Sequence, residues 1–125
     1  MRSTHLFGAG LVTLAVAATA ACSNSTYGGG SSSCTPTATQ VCMVGGNTFS
    51  PLTRTVSAGT TVQWVDGDGV QHTVTSDPGS TETFNTTVAA GGTFSYKFNT
   101  AGTFNYHCSI HGSPGSGMHG TIEVN

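Results

Sequence analysis

Tyr106-His107-Cys108-Ser109-Ile110-His111-Gly112-Ser113-Pro114-Gly115-Ser116-Gly117-Met118-His119-Gly120 places a thiol, an imidazole and a thioether in one glycine-rich stretch between two strand-like runs. A further imidazole, His72, lies far upstream, just past the turn Gly67-Asp68-Gly69. One thiolate, two imidazoles and a thioether suit copper: the soft sulfurs favour Cu(I), and imidazole serves both oxidation states. Three strong donors near one plane with a weak axial thioether favour neither square-planar Cu(II) nor tetrahedral Cu(I), so an electron passes with little rearrangement. Taken singly, each of these residues reads as core filler or surface, and Cys-x-x-His alone reads equally as half of a zinc site. Zinc rarely takes a thioether, however, and would want more cysteine or histidine. Metal ligation also accounts for Cys108 remaining unpaired in a chain read below as exported. The candidate copper ligands are therefore His72, Cys108, His111 and Met118.

Outward from this stretch the chain reads as all-β. Short runs rich in Val, Thr and aromatics recur at 40–44, 52–57, 61–65, 71–75, 82–87, 93–99, 102–107 and 119–124. Gly45-Gly46-Asn47, Ala58-Gly59, Gly67-Asp68-Gly69, Asp77-Pro78-Gly79 and Ala101-Gly102 supply the turns between them. No helical period of useful length occurs. About eight short strands at regular spacing predict a two-sheet Greek-key β-sandwich or barrel. Period-two alternation then sorts the side chains by face. It sends His72, Cys108 and Met118 inward, with Phe104 and Tyr106 pointing to the core beside Cys108 and Ile122 and Val124 sharing the inner parity of Met118; Phe94, Tyr96 and Phe98 share one face of their strand, and Val70, His72 and Val74 one face of theirs. It leaves His107 and His119 pointing to water.

The first stretch has a different character. Arg2 and His5 precede an apolar, alanine-rich run over 6–21, the length of a signal-peptide core and too short to span a bilayer. The run ends in Thr19-Ala20-Ala21 directly before Cys22, which looks like a bacterial lipobox with Cys22 as the lipidated residue. Cleavage after Ala20 would instead give a soluble secreted protein and leave Cys22 without a use. Residues 22–39 then read as a Gly/Ser-rich tether, with a reach of roughly 20–25 Å by random-coil scaling. That leaves 40–125 as a single domain, large enough for one small core. Past Cys22 the only cations are Arg54 and Lys97, against five carboxylates, for a net charge of −3. No basic patch exists, which excludes nucleic acid as a partner. Cys34 and Cys42, with seven residues between them, read in an exported chain as a disulfide tying the tether to the first strand; a redox-active pair is the alternative.

The order His72, Cys108-x-x-His111, Met118, with Gly102-Thr103-Phe104-Asn105-Tyr106 before the cysteine and Met118-His119-Gly120-Thr121-Ile122-Glu123-Val124 closing the chain, resembles the plastocyanin and halocyanin-like cupredoxins. The segment from Val62 to Val74 resembles the first-ligand region of the same proteins, and the resemblance covers 41–125. It implies a type 1 copper ion held by His72, Cys108, His111 and Met118, with Thr73 and Ser109 bracing the site by hydrogen bonds and the Thr73 N–H directed at the Cys108 sulfur. It also implies a monomeric electron carrier, not an enzyme, which meets redox partner proteins near His111. Such a chain would work outside the cytoplasmic membrane, held there through Cys22 or, without the lipid, soluble in the periplasm or medium. The ligands serve equally for a copper carrier or store without redox turnover. Two features depart from plastocyanins. Six residues separate His111 from Met118, a longer loop, and His107 replaces the tyrosine that precedes the cysteine in the plant proteins. Copper nitrite reductases and multicopper oxidases bind a catalytic copper with a histidine at that place, but they need further histidines, and Asp77 stands where one would lie. His107 is accordingly expected to be an exposed residue, and His119 a solvated strand residue.

Overall fold

The computed structural model describes residues 33–125. The expected leader, the lipidation site Cys22 and most of the tether lie outside the described residues. The described chain forms β1 (Gln40–Val44), β2 (Thr48–Ser50), β3 (Thr53–Val56), β4 (Thr60–Asp66), β5 (His72–Ser76), β6 (Asn85–Val88), β7 (Thr93–Phe98), β8 (Gly102–Ser113) and β9 (Ser116–Val124). Every expected strand is present. The ninth, β2, is a three-residue strand paired antiparallel with β1.

Two sheets result, in the orders β2-β1-β4-β7 and β3-β9-β8-β5-β6. Both are mixed, because β1 runs parallel to β4 and β3 runs parallel to β9. The Arg54 guanidinium on β3 donates to the Gln40 carbonyl on β1 at 2.8 and 3.1 Å, tying one sheet to the other. Midway along β1, a Cys34–Cys42 disulfide fastens residue 34 to the strand, with Cα atoms 5.7 Å apart.

Alternation along the strands builds the core between the sheets. Val41, Met43, Phe49, Val62, Trp64 and Phe98 face inward from the first sheet. Val74, Val88, Phe104, Tyr106, Ile122 and Val124 meet them from the second. Trp64 sits at the centre, fully buried, stacked on Phe94 at 5.5 Å and edge-on to Tyr106 at 5.3 Å. Clustered aromatic pairs of this kind each add about 0.5–1.5 kcal/mol beyond area burial.

Two expectations are corrected here. Val70 is 45 % exposed, because β5 begins only at His72 and Val70 still belongs to the preceding turn. His107 is only 9 % exposed despite its outward parity. The β5–β6 turn folds over it there: the Asp77 N–H donates to the Asn105 carbonyl, and the Asp77 carboxylate lies 2.6 Å from His107 Nδ1.

Candidate metal centre

The β8–β9 hairpin pairs regularly from Gly102 to His107, loses register, and resumes at Gly112 opposite Gly117. Four residues of β8, Cys108 to His111, therefore face the single β9 residue Met118. A bulge of this size breaks period-two alternation. Regular alternation would place Cys108 and His111 on opposite faces; the bulge brings both to one side with His72, across the hairpin from Met118, which is 1 % exposed. The close strand crossing that follows needs glycine. A Cβ on Gly112 would stand 2.5 Å from the Met118 nitrogen, and Gly117, at φ 65°, would carry one 2.7 Å from the His111 carbonyl oxygen.

His72 joins them from the first residue of β5. Its Nδ1 lies 3.1 Å from His111 Nδ1 and 3.8 Å from Cys108 Sγ, and the third edge, from His111 Nδ1 to Cys108 Sγ, is 3.5 Å. Donors bonded at roughly 2.0–2.3 Å to one ion and opened by roughly 100–120° stand roughly 3.1–4.0 Å apart. The triangle thus has the dimensions of a single metal-binding face. His72 and Cys108 are wholly buried and His111 is half-buried.

Hydrogen bonds prepare the donors. Burial alone would raise the Cys108 thiol, but the Thr73 N–H at 3.3 Å, His72 and the amides of Ile110 and His111 outweigh it and bring it down to about 6. A thiol at that value is largely thiolate near neutrality, the form that binds metal. Burial would likewise lower His72, yet Asp68 and Cys108 hold it above its ordinary value. Beside the ligands a small hydroxyl network links the two strands. Ser109 N–H donates to Thr73 Oγ1 at 2.7 Å, Ser109 Oγ to Thr75 Oγ1 at 3.2 Å, and Thr75 Oγ1 to Thr73 Oγ1 at 3.1 Å.

His72, Cys108 and His111 are thus brought together, Met118 is buried opposite them in the bulge, and Thr73 and Ser109 lie against the cysteine. His119 is half-buried, with Nδ1 3.0 Å from the Gly117 carbonyl. Sequence reasoning missed two acidic residues. Asp66, counted only among the carboxylates, and Asp68, read only as part of a turn, lie behind His72, with Asp68 Oδ1 3.0 Å from His72 Nε2. One signal was available: the inward parity of Val62 and Trp64 on β4 carries on to Asp66, which is 4 % exposed.

Two mixed sheets packed face to face, with a Cys-x-x-His bulge closing on an upstream histidine, define a copper-binding cupredoxin sandwich. The family profile described as copper binding proteins, plastocyanin/azurin family, matches residues 41–125, and the chain belongs to that family, whose cofactor is copper. The chain is 36 % identical over 85 residues to plastocyanin from Scenedesmus fuscus, an alignment covering 61 % of this chain and 85 % of the alga's protein. Among solved structures it is similar to a purple cupredoxin from Nitrosopumilus maritimus, with 28 % identity, TM-score 0.57, and coverage of 69 % of this chain and 98 % of that one. It is also similar to the copper-containing nitrite reductase of Thermus scotoductus, with 30 % identity and TM-score 0.61. That match covers 74 % of this chain but only 23 % of the reductase.

Proposed function

We propose that this chain is a type 1 copper electron carrier working outside the cytoplasmic membrane, with His72 Nδ1, Cys108 Sγ, His111 Nδ1 and the Met118 thioether as its ligands. The observation that carries this reading is the buried triangle of two imidazole nitrogens and one sulfur with edges of 3.1, 3.5 and 3.8 Å. Copper bound there supplies one-electron chemistry between Cu(I) and Cu(II). The chain's own residues keep the donors still. Thr73 and Ser109 link β5 to the cysteine, the bulge fixes Cys108 against His111, and the sandwich excludes water from His72 and Cys108. Donors held in place in both oxidation states favour fast transfer.

His111, half-buried beside the exposed Ile110, is the residue through which electrons pass to redox partner proteins. Few charges surround it, so docking is short-lived and only weakly steered by salt-sensitive attraction. The protein acts as a monomer and does no catalysis of its own. Asp77 pairs with His107, and among the described residues no third side chain closes on that pair to form a second metal-holding group. Export follows from the apolar run over 6–21, and anchoring from lipidation of Cys22.

Voltammetry of the copper-loaded protein tests this reading against copper carriage or storage. A carrier of electrons gives a reversible one-electron couple and retains its metal through repeated cycles. An irreversible couple, with copper lost to a Cu(I) chelator on reduction, would favour storage.

A further inference from the structure

The two nitrogens of His72 have different surroundings. Nδ1 faces the donor triangle, while Nε2 lies 3.0 Å from Asp68 Oδ1 and 3.9 Å from Asp66 Oδ1. The ring has no exposed surface, so nothing but protein can receive its second proton. The turn behind it is built around carboxylates. Asp66, itself buried, accepts the amides of Asp68 at 3.3 Å, Gly69 at 3.0 Å and Gly91. Those bonds fold the turn so that Asp68 reaches His72, and the same Asp68 oxygen accepts the Val70 N–H at 3.0 Å. His111, the other imidazole of the site, has no carboxylate within hydrogen-bonding distance among the described residues.

From this asymmetry we infer that Asp68 is the positioning residue of the copper site: its carboxylate holds the Nε2 proton of His72, so that Nδ1 is fixed as the metal donor, and its charge favours Cu(II) over Cu(I). The inference rests on the proposed ligand set. Which imidazole nitrogen binds a metal is set by the hydrogen bond that the other makes, and a carboxylate acceptor raises the basicity of the ring. A negative charge one imidazole's breadth from the metal, largely shielded from water, opposes the added electron. In a medium of effective dielectric constant about 40, that is worth about a tenfold change in the Cu(I)/Cu(II) equilibrium. Asp66 contributes by shaping the turn. A bland alternative is that Asp68 merely caps the turn through Val70.

The test compares Asp68→Asn with Glu123→Gln in the copper-loaded protein. The asparagine side chain would keep an oxygen for the Val70 and His72 N–H groups and lose only the charge, so folding is retained. Glu123 is exposed, bonds Thr55, and its replacement removes the same unit of charge far from the ligands. The expected result is an intact thiolate–copper band in both variants, with the reduction equilibrium of Asp68→Asn shifted about tenfold toward Cu(I), equivalent to about 59 mV. Glu123→Gln should shift it less than about twofold. In the Cu(I) protein the Nε2–H resonance of His72 should be protected from solvent exchange and lose that protection in Asp68→Ala. A shift of about twofold or smaller in Asp68→Asn, or an unprotected Nε2–H in the parent protein, would overturn the role of Asp68 and leave the copper reading standing. Absence of a thiolate–copper band in the parent would overturn the copper reading, and this inference with it.

Discussion

The Cys108 proton is subject to two opposed influences. Burial in the sandwich disfavours the thiolate, and the hydrogen bonds from Thr73, His72 and the bulge amides favour it more strongly. The copper-free protein should therefore show thiolate ultraviolet absorption rising with pH around a midpoint of about 6, absent from Cys108→Ser. A midpoint near the ordinary thiol value of about 8.5 would mean that these donors do not act on the sulfur. At this scale the sequence was partly transparent. The donor residues are legible because a thiol, a thioether and two imidazoles form a recognisable set. Asp68 is not, because a carboxylate in a Gly-Asp-Gly turn looks the same whether it faces water or a histidine. His107 misleads for a related reason: parity assigns it an outer face, and only the fold shows Asp77 lying across that face.

The β8–β9 hairpin is the element on which the site depends. Its bulge sets four residues against one, and its two glycines let the strands cross closely. Gly112→Ala would set a methyl 2.5 Å from the Met118 nitrogen and 2.7 Å from the Ser116 carbonyl oxygen, both backbone atoms that cannot turn aside. The expected outcome is a loss of about 1–3 kcal/mol in denaturant unfolding, as for other overpacked sites, together with weaker copper binding. Unchanged stability would show that the crossing is looser than these distances imply. Strand spacing and turn residues made eight elements readable in advance. The short β2 escaped because three residues between an Asn turn and Pro51 carry no period to detect. The extension of β8 to Ser113 escaped as well, since Gly112 and Pro114 read as loop and the pairing across them is a product of the hairpin.

Over the whole molecule, stability resides away from the metal. The core joins aromatic and branched side chains of both sheets around Trp64, and the disulfide and Arg54 close the margin of the sandwich. Copper removal should consequently leave the β-sheet signal of far-ultraviolet circular dichroism and the dispersion of core methyl resonances nearly unchanged, while lowering the unfolding temperature. Collapse of the fold on metal removal would instead make the metal a structural staple, as in small zinc domains. The overall architecture was the most legible feature of the sequence, because a two-sheet sandwich repeats the same alternation many times. The placement of the β5–β6 turn over β8, on which the environment of His107 depends, is a single long-range event with no periodic signature.

A copper–thiolate bond at Cys108 underlies the proposed function, and the first measurement is the visible spectrum of the Cu(II)-loaded protein beside Cys108→Ser. An intense charge-transfer band in the visible is expected, bleached reversibly by a mild reductant and missing from the variant. A pale band equal in both proteins would contradict it, and with it the electron-transfer function built on that bond.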